Sequence, residues 1–140
     1  MKRDYALYQV ALKLLLRKGG RVLFLRISRR NFLDLPGGRI DNVENKIPLI
    51  KILAREIKEE LGPSVKYKIG RPIFQFRRPV PSRGVLNFLT VYESKYISGS
   101  VKLSSEHESY EWINPKTHPF KRKDFMSHEE YKAFKAYFNF

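Results

Sequence analysis

Cysteine is absent from the 140 residues. That removes disulfides, thiol catalysis and cysteine-ligated zinc together, and it suits a reducing cytoplasm. Long apolar runs are missing too. The N-terminal segment from Tyr5 to Leu16 follows Lys2 and Arg3 in the manner of a signal peptide, but Gln9 and Lys13 interrupt it. No small-residue cleavage site follows, and the run falls short of the roughly 20 apolar residues a membrane span needs. A cytoplasmic protein with no membrane partner is the expectation. Acidic residues are also scarce, with 14 Asp and Glu against 28 Lys and Arg, a formal net charge of +14. Such a balance favours anionic partners, whether nucleotides or nucleic acid, and says nothing about chemistry.

What is present suits one compact domain over residues 1–140: 42% hydrophobic, 14% aromatic and 30% charged residues, enough for a core without a staple. Every second residue from Tyr8 to Leu16 is apolar, which is strand periodicity. The turn Arg17-Lys18-Gly19-Gly20 and a second strand, Val22 to Ile27, complete a hairpin. Phe32 to Leu35 is a short extended piece ending at Pro36-Gly37-Gly38, and Arg39 to Ile47 reads as irregular. Pro48 suits a first helical residue, Leu49, Ile50, Leu53, Ile57 and Leu61 recur at helical spacing, and Gly62-Pro63 is a stop. Extended segments are expected at 66–77, 85–97 and 110–113. Ser127 then caps a last helix, 128–140, with Tyr131, Phe134 and Phe138 as its apolar face. The predicted architecture is α/β, a mixed sheet with two helices packed on it.

Glu56, Glu59 and Glu60 stand at i, i+3 and i+4, so the predicted helix carries three carboxylates on one face. Like charges so placed cost a few tenths of a kcal/mol per pair. Arg55 offsets part of that through Glu59. A carboxylate face is ordinarily just solvated, yet three such oxygens are also what a hard divalent cation takes.

The surrounding residues discriminate between these. Leu35-Pro36-Gly37-Gly38-Arg39, then Glu44, then Arg55-Glu56-Ile57-Lys58-Glu59-Glu60-Leu61-Gly62 resembles the Nudix box: a glycine, five residues, a glutamate, seven residues, then Arg-Glu-apolar-x-Glu-Glu-x-Gly. The match covers Gly38, Glu44, Arg55, Glu56, Ile57, Glu59, Glu60 and Gly62 by type. It departs in one respect, since ten residues rather than seven separate Glu44 from Arg55, and Ile47 stands at the strictly spaced position.

The resemblance implies a Nudix-type α/β/α sandwich with a mixed β-sheet between helices, and Mg2+-dependent (or Mn2+-dependent) hydrolysis of a diphosphate linkage in a nucleoside di- or triphosphate-type substrate. Glu56, Glu59 and Glu60 would hold the cation, with a backbone carbonyl of Gly37 or Gly38, and Arg55 would steer the carboxylates. A further acid would come from Glu106, Glu108 or Glu111, which flank His107 and precede Trp112. Substrate contacts would come from Arg26, Arg29, Phe32 and Arg39. Tyr8, Phe76 and Tyr92 are further stacking candidates, and the basic run Lys116 to Lys123 is one for a longer anion. The net charge raises an RNA 5′-end pyrophosphohydrolase as the alternative, and a homodimer is left open. A non-catalytic Nudix ligand-binding module is disfavoured because all three helix carboxylates are retained.

Overall fold

The computed structural model describes residues 2–27, 30–80, 84–105, 107 and 109–140, without the Val80 side chain. Strands β1 (Tyr8–Lys18) and β2 (Arg21–Ile27) form the expected hairpin, followed by β3 (Phe32–Asp34) and β4 (Gly37–Arg39). Helix α1 (Leu49–Leu61) precedes β5 (Lys66–Val80), β6 (Val85–Ser98), β7 (Ser109–Ile113) and helix α2 (His128–Phe138). Among the described residues the strands make one mixed sheet in the order β3-β2-β1-β6-β5, with β4 against β1 and β7 against β2. β1 and β6 run parallel, and the other pairs are antiparallel.

The hairpin does not stay zipped. β1 and β2 pair only at Arg17–Val22 and Lys18–Arg21 before they diverge. The edge of β1 that β2 vacates is filled by β4, with Ala11 opposite Arg39 and Leu12 opposite Gly38. β2 in turn pairs with β3 from Leu25 to Ile27. The Leu35-Pro36 link therefore spans the fork, and the Leu14 amide donates to the Pro36 carbonyl at 2.8 Å.

β1 lies inside the sheet and is buried on both faces, as a central strand requires. Leu12, Leu14 and Leu16 point into one core with Ile52, Leu53, Ile57 and Leu61 of α1. Ala11 and Leu15 point into the other, built around Phe24, Phe76, Phe120, Phe125 and Phe134 of α2. Each fully buried Leu, Ile or Phe contributes roughly 1.5–3 kcal/mol, so the two helices are held by these faces and the sheet is sandwiched between them. Phe134 is the hub of the second core, its ring 5.0 Å from Phe125 and 5.2 Å from Phe74.

Two boundaries differ from the sequence reading. Pro48 is the N-cap of α1 rather than its first residue, with φ −55° and ψ 137°; its carbonyl accepts from Lys51 and Ile52, which a proline can supply without a donor of its own. The stretch taken as irregular contains β4 and a 3₁₀ turn, Asn42–Glu44, closed by a capping box between Asp41 and Glu44. At α2 the Ser127 hydroxyl accepts from the Glu130 amide at 3.2 Å, as the sequence predicts. Ser127→Ala should cost about 1 kcal/mol of stability, read as a melting temperature a few degrees lower; an unchanged melt would show that the cap contributes nothing.

Candidate active site

The fork of β1 and β2 sets Gly37 and Gly38 directly over α1. Gly37 has φ +141°, and a Cβ there would meet the Leu12 carbonyl oxygen at 2.0 Å, so only glycine fits between the strands. A Cβ on Gly38 would lie 2.5 Å from Oε2 of Glu56. The bare backbone of β4 is thus the surface against which Glu56 rests. Glu60 reaches the same segment, its Oε2 accepting from the Gly37 amide at 3.0 Å.

Electrostatics follow from this burial. Glu60 is 9% exposed, and burial pushes its carboxyl up to about 7, against the pull of Lys13 and the Gly37 amide. Burial also raises Glu56, opposed by Arg55. Two desolvated carboxyls that would rather be neutral are a site short of positive charge. Glu59 lies further out.

Arg55 binds the cluster together. Its Nε and Nη2 donate to the two Glu44 oxygens at 2.7 and 2.8 Å, Nη1 to Glu59 at 3.0 Å and Nη2 to Glu56 at 3.0 Å. Hydrogen bonds from Arg55 hold Glu44 below the usual carboxylate range. Glu44, ten residues ahead of Arg55, is buried and meets it in a bidentate pair, which the 3₁₀ turn makes geometrically possible.

The oxygen-only donor set suits a hard divalent cation rather than a soft one. Among the described residues, though, no three His, Asp or Glu side chains converge as a ready-made ion cage. The hydrogen bonds explain it: Arg55 engages Glu56 and Glu59, and Gly37 engages Glu60. The residues fit a divalent ion by donor type, by shared helix face and by the side-chain-free approach at Gly38.

The other predicted residues distribute around this centre. Arg26 and Glu111 were assigned separate tasks and instead pair with each other at 2.8 Å across β2 and β7. Arg39 donates to the Gln9 side chain at 2.9 Å. Phe32 lines a hollow of about 640 Å3 together with Arg26, Arg30, Arg122 and Lys123. The basic run and the Arg26 region, distant in sequence, therefore meet at one mouth. Phe120 of that run, Phe76 and Tyr92 are built into the cores rather than left to stack on a ligand. Arg29, Glu106 and Glu108 lie outside the described residues.

Sequence reasoning missed a buried charge network beneath the glycines. Asp34 accepts from Lys13 at 3.0 Å and from Arg78 at 3.1 Å, and Arg78 also pairs with Glu130 of α2. Lys13 additionally donates to the Leu35 carbonyl at 3.1 Å. The one available signal was Lys13 itself, a charge in the middle of an otherwise apolar strand.

No family model matches the sequence, and no curated protein matches it. Solved structures do. The chain is similar to the MutT protein from Methanosarcina mazei Go1, at 25% identity and TM-score 0.74 over 98% of this chain and 96% of that one. A MutT Nudix hydrolase from Burkholderia pseudomallei aligns at 22% identity and TM-score 0.70 over 92% and 97%. An ADP-ribose pyrophosphatase from Streptococcus suis 89-1591 aligns at 13% identity and TM-score 0.62 over 92% and 91%. The fold is the Nudix fold. With the box residues gathered at the β4–α1 junction, the chain belongs to the Nudix hydrolase family.

Proposed function

We propose that the protein hydrolyses a diphosphate linkage in a nucleoside di- or triphosphate-type substrate, using Mg2+ or Mn2+ held by Glu56, Glu59, Glu60 and a backbone carbonyl of Gly37 or Gly38. The observation that carries this reading is the pair of desolvated carboxylates, Glu56 and Glu60, seated on the Gly37–Gly38 backbone. Structural neighbours titled as a MutT Nudix hydrolase and an ADP-ribose pyrophosphatase support the bond type.

A bound divalent ion supplies neutralisation of phosphate charge and a nucleophile from water near neutral pH. The chain's own residues do the rest. Arg55 orients Glu56 and Glu59 while Glu44 fixes Arg55. Oxygen from water bonds to one phosphorus, the bridging P–O bond breaks, and the bridging oxygen leaves with the other phosphate. A carboxylate takes the water proton; Glu111 is the described candidate beside Glu106 and Glu108. Arg26, Arg29, Arg39 and Phe32 would contact the substrate.

The basic hollow of Arg26, Arg30, Arg122 and Lys123 favours a second reading, an RNA 5′-end pyrophosphohydrolase, because it offers charge for a longer polyanion. One experiment separates them: phosphate and pyrophosphate release from a nucleotide panel and from 5′-triphosphorylated RNA, with Mg2+ and with chelator. Metal-dependent turnover of a nucleotide with inert RNA supports the first reading, and the reverse supports the second. No release from either by the folded protein overturns both.

A further inference from the structure

On the opposite side of Gly38 from Glu56 lies a pocket of about 320 Å3. Ala11, Ile27 and Met126 give it apolar wall, and Lys13, Arg78 and Asn87 give it polar groups. Lys13 and Arg78 are already bonded to Asp34 and Glu130. Asn87 differs. It is 7% exposed, and among the described residues its Oδ1 is buried with no hydrogen-bond partner.

An unsatisfied buried carboxamide oxygen works against folding, because it loses water and gains nothing. The position does not demand it. Asn87 sits on β6 two and four residues before Leu89 and Val91, whose side chains share its face and fill the α2-side core. A leucine would continue that apolar face at no polar cost. The orphan amide is therefore better explained by something it meets than by the fold.

We infer that this pocket seats a heteroaromatic base, with the Asn87 carboxamide reading an edge that carries a hydrogen-bond donor next to an acceptor. The carboxamide offers the complementary pair, and its terminal torsion lets oxygen and nitrogen exchange places cheaply. The volume is at the lower end for small-molecule sites, right for a base and too small for a whole nucleotide. Gly38 is the wall shared with Glu56, so a base here directs its phosphates toward the helix carboxylates. The direction of the phosphates rests on the diphosphate reading; the base subsite does not.

The test uses ligands with no bond to cut. AMP, GMP, CMP and UMP, with ribose 5-phosphate as the base-free control, are titrated into the wild-type protein and Asn87→Leu by calorimetry. Wild type should bind at least one nucleotide more tightly than ribose 5-phosphate. Asn87→Leu should lose roughly tenfold in that affinity, leave ribose 5-phosphate unchanged, and melt at the same or a higher temperature. If the leucine variant does not fold, the Asn87 side-chain amide signal in wild type should still move on adding the nucleotide and not on adding ribose 5-phosphate. Nucleotides binding no better than the control, or binding Asn87→Leu as well as wild type, would overturn the inference. Since nothing is hydrolysed, that result is separate from the outcome of the release assay.

Discussion

Glu60→Gln should lower metal-dependent turnover on the order of a thousandfold while leaving the protein folded. Loss of several kcal/mol of charge stabilisation at the reacting phosphate corresponds to that factor. The fold is spared for a reason visible in the structure. Glu60 is a buried carboxyl pushed up to about 7 by its surroundings, so its charged form is the costly one. Glutamine keeps the shape and an oxygen for the Gly37 amide, and it removes the charge. The melting temperature without metal should be equal to or above wild type. Adding Mg2+ should raise the melting temperature of wild type and not of the variant, because only a bound ion stabilises by mass action. Wild-type turnover in Glu60→Gln, or an undiminished Mg2+ shift, would sink the assignment of this side chain as a metal ligand.

Arg55 makes the complementary point. Its guanidinium is shared among Glu44, Glu56 and Glu59, so three carboxylates stand close together without collapsing the helix. In an isolated α1 the same glutamates would repel. The arrangement holds anionic oxygens ready and lets their geometry be set by a cation of the protein until another is bound.

Much of this was legible because it is local. The box residues from Arg55 to Gly62 are contiguous, and helical periodicity alone puts Glu56, Glu59 and Glu60 on one face. The alternation of Leu12, Leu14 and Leu16 announces a strand. What the alternation cannot say is where that strand leaves its hairpin partner, and the whole site depends on it: the early divergence of β1 from β2 opens the edge that β4 occupies. Nor can periodicity say that β2 serves β3 on one edge and β7 on the other, which is what brings Arg26 to Glu111. Glu44 was ambiguous for a related reason. Spacing along the chain predicts a contact only when the intervening backbone is regular, and the 3₁₀ turn between Asp41 and Asn45 is not. Asn87 is the hardest case. An asparagine in a strand looks like any solvent-facing residue until the sheet is assembled around it.

The second large effect is expected from Asp34→Asn, which should destabilise the protein by about 3–5 kcal/mol, the cost of leaving buried charges without their partner. Asp34 is the common acceptor for Lys13 and Arg78, and all three are buried. Burial pushes the Asp34 carboxyl up, but Arg78 and Lys13 outweigh it and hold it at about 2. Its folded value lies below the unfolded value of 3.8, so the ionised form binds the folded state. That contribution is complete above about pH 4 and is lost as pH falls toward 2, on the order of 2 kcal/mol. Thermal melts across that range should show the loss in wild type and lack this component in Asp34→Asn, with the variant melting several degrees lower at pH 7. Activity should fall as well, since Lys13 holds both Asp34 and the Leu35 carbonyl, and Leu35 leads into the Pro36-Gly37-Gly38 segment on which Glu60 and Glu56 rest. A variant that melts within a degree of wild type would mean that the network can rearrange around a neutral amide, and the glycines would then be held by the strand pairing of β4 alone.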